Sequence, residues 1–270
     1  MKQYKAVFSD IDGTLLNTEN KVTRRTLEAI RALGRRGIPF VIVSARSPAA
    51  IWPILEQNGF SCPVVAYSGG LILDENRRTL YHCGMDKRQA GEILRYLEEQ
   101  RFDLSWNLFT SDEWIVRDKQ DPRIRREEEA VQAQARQGSL GDLPEDAEIN
   151  KVLCICAEGK ILQIEEKVRE RFPGCSVAKS SPILLEIMEN RVNKATAIKT
   201  LCGLRNIDVE NVIAFGDQYN DLEMLQFAGC GVAMGNAPTE IRRLAARTTL
   251  DNDHDGICHA LLELGVIGPV

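Results

Sequence analysis

Short apolar runs alternate with helix-patterned segments at both ends of this 270-residue chain, and that alternation constrains the fold more than any other feature. Tyr4–Ser9 reads as a strand. A helix follows near Thr23–Leu33, with Leu27, Ile30 and Leu33 on one face, Thr23 as its cap, and Gly34 and Gly37 beyond its end. Phe40–Val43 is the next strand, a second helix opens at Ser47-Pro48, where proline suits the first turn, and Val64–Tyr67 is a third strand. The order resumes near Asn193, with a helix over Lys194–Cys202, a strand over Val212–Phe215 and a helix from Asp221. A strand over Gly231–Ala233 and a helix near the C-terminus complete it. Such a sequence of elements calls for a parallel sheet covered by helices.

Between about Cys83 and Glu189 the rhythm changes. A helix (Asp86–Gln100), two strands (Leu104–Phe109, Trp114–Arg117) and a helix (Pro122–Arg136) come first. A strand (Val152–Cys156), a helix (Lys160–Phe172) and two strands (Ser176–Lys179, Leu184–Met188) follow. The pattern predicts an α+β domain, residues 83–189, inserted into an α/β core of residues 1–82 and 190–270. The charged run Arg123–Glu129 reads as the solvated face of its helix.

With 44% hydrophobic and 27% charged residues, the chain can bury a substantial core. A net charge of −5 without a polybasic run argues against nucleic acid or an anionic membrane as partner. The N-terminal sequence shows neither a signal-peptide pattern nor a membrane span. The eight cysteines form no Cys-x-x-Cys pair or zinc-like group and read as reduced core thiols of a cytoplasmic protein. Nothing in the sequence points to an obligate protein partner.

The chemistry-bearing residues follow the strands. The first strand ends in Ser9-Asp10-Ile11-Asp12-Gly13-Thr14, the second in Ser44-Ala45-Arg46 and the third in Ser68-Gly69-Gly70. The fourth ends in Gly216-Asp217-Gln218-Tyr219-Asn220-Asp221 and the fifth in Gly235-Asn236-Ala237. In an open parallel sheet those ends share the edge where ligands bind. A carboxylate can attack phosphorus directly, and a neighbouring carboxyl can protonate the departing alcohol and then activate water. Two anions approach a phosphate only with a hard cation such as Mg²⁺, for which Asp217 and Asp221 add oxygen donors. Taken singly, each aspartate also suits a turn or a helix cap. Ser44 precedes a helix start suited to phosphate, though it equally suits an ordinary turn. Lys194 lies in the first turn of a helix capped by Asn193, against the helix dipole, which suggests a bound anion or else a surface lysine. Asp251-Asn252-Asp253-His254-Asp255-Gly256 opens like a calcium loop but has Leu262 where a bidentate Glu is needed, so it is read as a loop capping the final helix.

Asp10-x-Asp12-Gly13-Thr14, Ser44, Lys194 and Gly216-Asp217-x-x-Asn220-Asp221, in that order, resemble the four motifs of the haloacid dehalogenase superfamily. The insert, the run Val232–Ala237 and Asp255-Gly256 are similar to its Cof-type phosphatases. The resemblance implies a Rossmann-like parallel α/β core with helices on both faces plus an inserted α+β cap domain. It also implies a Mg²⁺-dependent phosphatase acting through an aspartyl-phosphate on small phosphorylated metabolites such as sugar phosphates, nucleotides or cofactor phosphates. Asp10 is then nucleophile and metal ligand, and Asp12 is acid/base with its carbonyl on the metal. Ser44, Lys194 and Asn220 bind phosphate, and Asp217 and Asp221 complete the metal set, with Asn220 and Asp221 also able to support the lysine or a metal-bound water. Two departures stand out: Ser44-Ala45-Arg46 where the group often has Thr-Gly-Arg, and Ser68-Gly69-Gly70 where it often has Asn-Gly-Ala. A phosphotransferase or mutase could use the same aspartyl-phosphate while excluding water. A non-catalytic phosphate-binding module would be expected to lack a catalytic carboxylate, and none is missing. From the insert, Trp106, Trp114, Arg117 and Arg123 are candidates to contact substrate, although packing explains the tryptophans equally well.

Overall fold

The computed structural model describes residues 3–269. They form two compact units, one of Met1–Ala45, Leu55–Tyr81 and Asn193–Val270, the other of Arg46–Ile54 and His82–Val192.

The first unit is built on an eight-stranded sheet. Its strands lie in the order Arg247–Thr248, Cys230–Ala233, Val212–Gly216, Ala6–Ser9, Phe40–Val43, Val64–Ala66, Leu71–Leu73 and Thr79–His82. The first six are mutually parallel, and Leu71–Leu73 runs antiparallel to Val64–Ala66. Ala6–Ser9 is central, with Ser9 level with Phe215 on one side and Ile42 on the other. Side chains alternate across the sheet. Phe8, Val41, Val43 and Ala214 pack beneath Ile198 and Leu201 of the helix Lys194–Arg205, all at most 1% exposed. Each such aliphatic burial contributes roughly 1.5–3 kcal/mol. On the chain's other helices, Arg24–Arg35 packs against Gly256–Glu263. The Thr23 side chain accepts from the Thr26 N–H, as its cap position predicts.

The second unit carries a six-stranded sheet in the order Cys175–Lys179, Leu184–Glu189, Lys151–Cys156, Leu104–Phe109, Trp114–Val116 and Arg136–Gln137. Leu108, Val152, Cys154, Leu185 and Ile187 of this sheet pack with Ile93 and Leu97 of helix Lys87–Glu99 and with Ile164 and Val168 of helix Ile161–Arg171. One sequence expectation fails here. The helix from Pro122 stops at Val131, not Arg136, because Gln132 turns left-handed (φ 53°) and Arg136–Gln137 joins the sheet beside Ile115–Val116. Nor is Arg123–Glu129 wholly a solvated face: Arg123 pairs with Asp121 and Asp103, and burial raises the Glu127 carboxyl.

All four substrate-contact candidates of this unit have partners within it. Trp106 donates to Glu98, Trp114 donates to Asn107 and stacks on Phe109, and Arg117 pairs with Glu98. All eight cysteines are free thiols, seven of them buried. Among the described residues, no helix is long and apolar enough to cross a membrane.

Candidate active site

The chain leaves the central strand in a tight curl. The Asp10 N–H completes the ladder to the Phe215 carbonyl (3.0 Å), and the N–H groups of Thr14 and Leu16 both return to the Ile11 carbonyl. Gly13 takes φ +79°, and a Cβ on it would lie 2.4 Å from an Asp217 oxygen, so only glycine lets this turn sit against that carboxylate. The curl separates the two aspartates of the motif: Asp10 is buried and Asp12 is exposed.

Lys194 reaches the same point from another element. Asn193 starts its helix with a reciprocal cap, its side chain accepting the Thr196 N–H (2.7 Å) while the Thr196 hydroxyl accepts the Asn193 N–H (3.2 Å). Such a cap contributes about 1 kcal/mol and fixes where the first turn begins. The Lys194 ammonium, 2% exposed, donates to Asp10 Oδ1 at 2.6 Å and Asp221 Oδ1 at 2.5 Å. Lys194 is therefore a buried lysine, not a surface one, with two carboxylates of this protein on its ammonium.

The turn after Val212–Gly216 brings the remaining acids. Asp221 is fully buried; its Oδ1 takes the lysine, and its Oδ2 accepts the N–H groups of Asp217 and Gln218 (3.0 Å each). Asp217 accepts from the Thr14 hydroxyl on Oδ1 (2.8 Å) and from the Gln218 amide on Oδ2 (3.0 Å). Oxygens of Asp10, Asp217 and Asp221 all lie within 4.8 Å of one another.

Burial sets the electrostatics. Desolvation holds the Asp10 carboxyl well above its ordinary range; Lys194 opposes that shift, while Asp221 and Asp12 add to it. Desolvation likewise lifts Asp217 to about 6. Burial alone would lower the Lys194 pKa, but Asp10 and Asp221 outweigh it and hold the ammonium charged above its usual range. One buried cation thus faces three buried carboxylates, and an additional positive charge would relieve the excess. Carboxylate oxygens are the donors that a hard divalent cation takes, so the set fits such an ion.

Residues 7–261 match the family described as haloacid dehalogenase-like hydrolase. The chain belongs to that family. A Haemophilus influenzae protein provisionally named a phosphatase is 36% identical over 260 residues, covering 96% of this chain and 98% of the relative. The Bacillus subtilis protein named 5-amino-6-(5-phospho-D-ribitylamino)uracil phosphatase YitU is 26% identical over 270 residues, covering 94% and 95%. A solved haloacid dehalogenase-like hydrolase from Bacteroides thetaiotaomicron superposes with a TM-score of 0.87 at 28% identity, over 97% of this chain and all of that one. The expected haloacid dehalogenase-type fold and phosphatase enzyme class both hold.

Of the residues singled out in this haloacid dehalogenase-like hydrolase, Asp10, Lys194, Asp217 and Asp221 converge in one buried network. Ser44 is buried at the same sheet edge, its N–H donating to Val65 and its carbonyl accepting from Ser68. Asn220 is exposed on the turn beside Asp221 and does not join the network. Thr14 and Gln218, both holding Asp217, were not among the candidates. Thr14 lies in the first motif, and Gln218 adjoins the carboxylate it holds. The Asp251–Gly256 segment caps the final helix through its backbone, the Asp251 carbonyl accepting the Gly256 N–H (3.1 Å). Asp255 is left-handed (φ 58°) and gives the final helix no side-chain cap; the Asp251 carboxylate instead accepts from the Asp253 and His254 N–H groups.

Proposed function

We propose that this enzyme is a Mg²⁺-dependent phosphatase that hydrolyses small phosphorylated metabolites through an aspartyl-phosphate on Asp10. The observation that carries the reading is the clasp of Asp10 by Lys194 at the end of the central strand, beside Asp217. Asp10 Oδ, the Asp12 carbonyl and Asp217 would hold the ion, with Asp221 at its margin because both Asp221 oxygens are already engaged. Bound Mg²⁺ supplies positive charge that offsets the carboxylates and the phosphoryl oxygens.

The chain's own residues carry the steps. The Asp10 carboxylate attacks phosphorus, the ester P–O bond breaks, and the departing alkoxide takes the Asp12 proton. Asp12, now ionised, removes a proton from water; the hydroxide attacks the phosphorus of the acyl phosphate and releases inorganic phosphate, restoring Asp10. Ser44 and Lys194 hold the phosphoryl oxygens, with Asn220 at the rim, so that charge stabilisation and positioning do most of the work. The exposure of Asp12 supports hydrolysis over transfer to a sugar hydroxyl, because water reaches the base. The relative named for a phosphoribitylamino-uracil supports phosphate esters of small metabolites as the substrate class. We assign selection among those esters to the inserted domain, residues 83–189. Free thiols suit a reducing cytoplasm.

The test is phosphate release from p-nitrophenyl phosphate and a panel of sugar, nucleotide and cofactor phosphates, with Mg²⁺ or with EDTA. Mg²⁺-dependent turnover lost in Asp10→Asn is expected. Undiminished turnover in that variant would sink the mechanism.

A further inference from the structure

Asn236 touches both sides of the site without belonging to any group assigned so far. Its Nδ2 donates to the Gly13 carbonyl at 2.8 Å and to Asp217 Oδ2 at 3.4 Å. The two hydrogens of one planar amide thus address the turn that follows Asp10 and Asp12, and the carboxylate that faces it. Thr14 and Gln218 also hold Asp217, but neither donates to the Gly13 carbonyl.

The amide is itself held. Asn236 Oδ1 accepts the Asn252 N–H (3.3 Å), and the Asn252 side chain donates to the Leu16 carbonyl (2.9 Å). The same stretch is tied to the N-terminal segment twice more: the Thr18 N–H and hydroxyl donate to Asp253 (2.9 Å each), and the Thr23 hydroxyl donates to Asp255 (2.5 Å). Gly235 donates its N–H to Leu250 (3.1 Å), which closes the strap from behind. Residues 251–255 therefore steady the Asp10–Leu16 curl and hand Asn236 its orientation. A surface loop with no role in the site has no need of an amide aimed at two ligand-bearing segments.

We propose that Asn236 is a positioning residue of the metal site, setting the separation of the Gly13 turn from Asp217, and that Asn252 orients it. The inference rests on the function proposed above. Outer-shell partners of this kind change metal affinity by about 10–100-fold when removed.

Mg²⁺ titration calorimetry on the full chain, paired with thermal unfolding in EDTA, separates positioning from loop anchoring. Asn236→Ala is expected to weaken Mg²⁺ binding about tenfold while unfolding in EDTA within about 2 °C of wild type. Asn236→Leu, close in volume but without the amide, should weaken binding in the same direction, and it carries the test if Asn236→Ala fails to fold. Thr18→Ala, which loosens the same strap without reaching Asn236, should leave the Mg²⁺ affinity at the wild-type value. Wild-type affinity in both Asn236 variants overturns the inference, as does an equal loss in Thr18→Ala. A wild type that takes up no Mg²⁺ overturns the metal reading itself and this inference with it, so the two failures are told apart by the unmutated protein.

Discussion

Lys194 lies 2.6 Å from Asp10 and 2.5 Å from Asp221, so one buried ammonium bridges two buried carboxylates. Removing one member of a buried ion cluster strands the others. Lys194→Met should destabilise the fold by about 3–5 kcal/mol at pH 7.5. The loss should shrink toward pH 5, because the stranded carboxyls then take up protons. Urea unfolding at the two pH values checks this; an equal loss at both would mean that side-chain packing, not charge, is what Lys194 supplies.

Asp10→Asn removes the oxygen proposed to attack phosphorus but not the fold. Turnover of any active ester should fall by about 10⁴-fold or more, the scale seen when a covalent nucleophile is deleted. Melting temperature in EDTA should stay level or rise, since the variant relieves a buried charge while Lys194 keeps Asp221. A lower melting temperature would indicate that Asp10 stabilises the metal-free site.

Asp217 gives a pH dependence with a defined sign. Its folded pKa is about 6 against an ordinary 3.8, with desolvation the largest cause. Between about pH 4 and pH 6 the unfolded chain binds fewer protons at this position than the folded one, so metal-free stability falls as pH rises. The group's contribution is fully present below pH 4 and declines by roughly 3 kcal/mol once pH passes 6. Urea unfolding in EDTA across that window should show the fall, and Asp217→Asn should flatten it; the same slope in both proteins would assign it elsewhere.

Gly69 is a backbone requirement. Its φ is +119°, and a Cβ would stand 2.7 Å from the Asn193 carbonyl oxygen and 3.1 Å from Ala197 Cβ. Gly69→Ala should cost about 2–3 kcal/mol through strain and overpacking. Because Asn193 begins the Lys194 helix, activity at saturating substrate should fall as well. Unfolding and turnover on one preparation test both; full activity with reduced stability would uncouple the turn from the lysine.

Much of this was legible in the sequence because its signals are local. Phe40–Val43 needs only its own apolar run, and Thr23 or Asn193 only the helix it starts. Short strands such as Leu71–Leu73 and Arg247–Thr248 were missed, since a strand of two or three residues has no period to read. The helix from Pro122 ends at Val131, short of Arg136, at a left-handed Gln132 that no glycine marks in the sequence. At the site, the motifs located the carboxylates, but not which oxygen each partner takes. Asp221 reads as one more metal donor, and the geometry adds that its oxygens also take Lys194 and two N–H groups. Asn236 meets Gly13 across 223 positions of chain, a separation that no local pattern encodes.

The central position of Ala6–Ser9 has a consequence for biosynthesis. One of its two neighbours, Val212–Gly216, leaves the ribosome some two hundred residues after it, preceded by the whole of His82–Val192. A nascent chain therefore carries Asp10 through the synthesis of all of His82–Val192 before Lys194, Asp217 and Asp221 follow. Partly made copies lack the clasp on Asp10, and the unpaired edge of that strand must be sheltered from aggregation until its partner arrives.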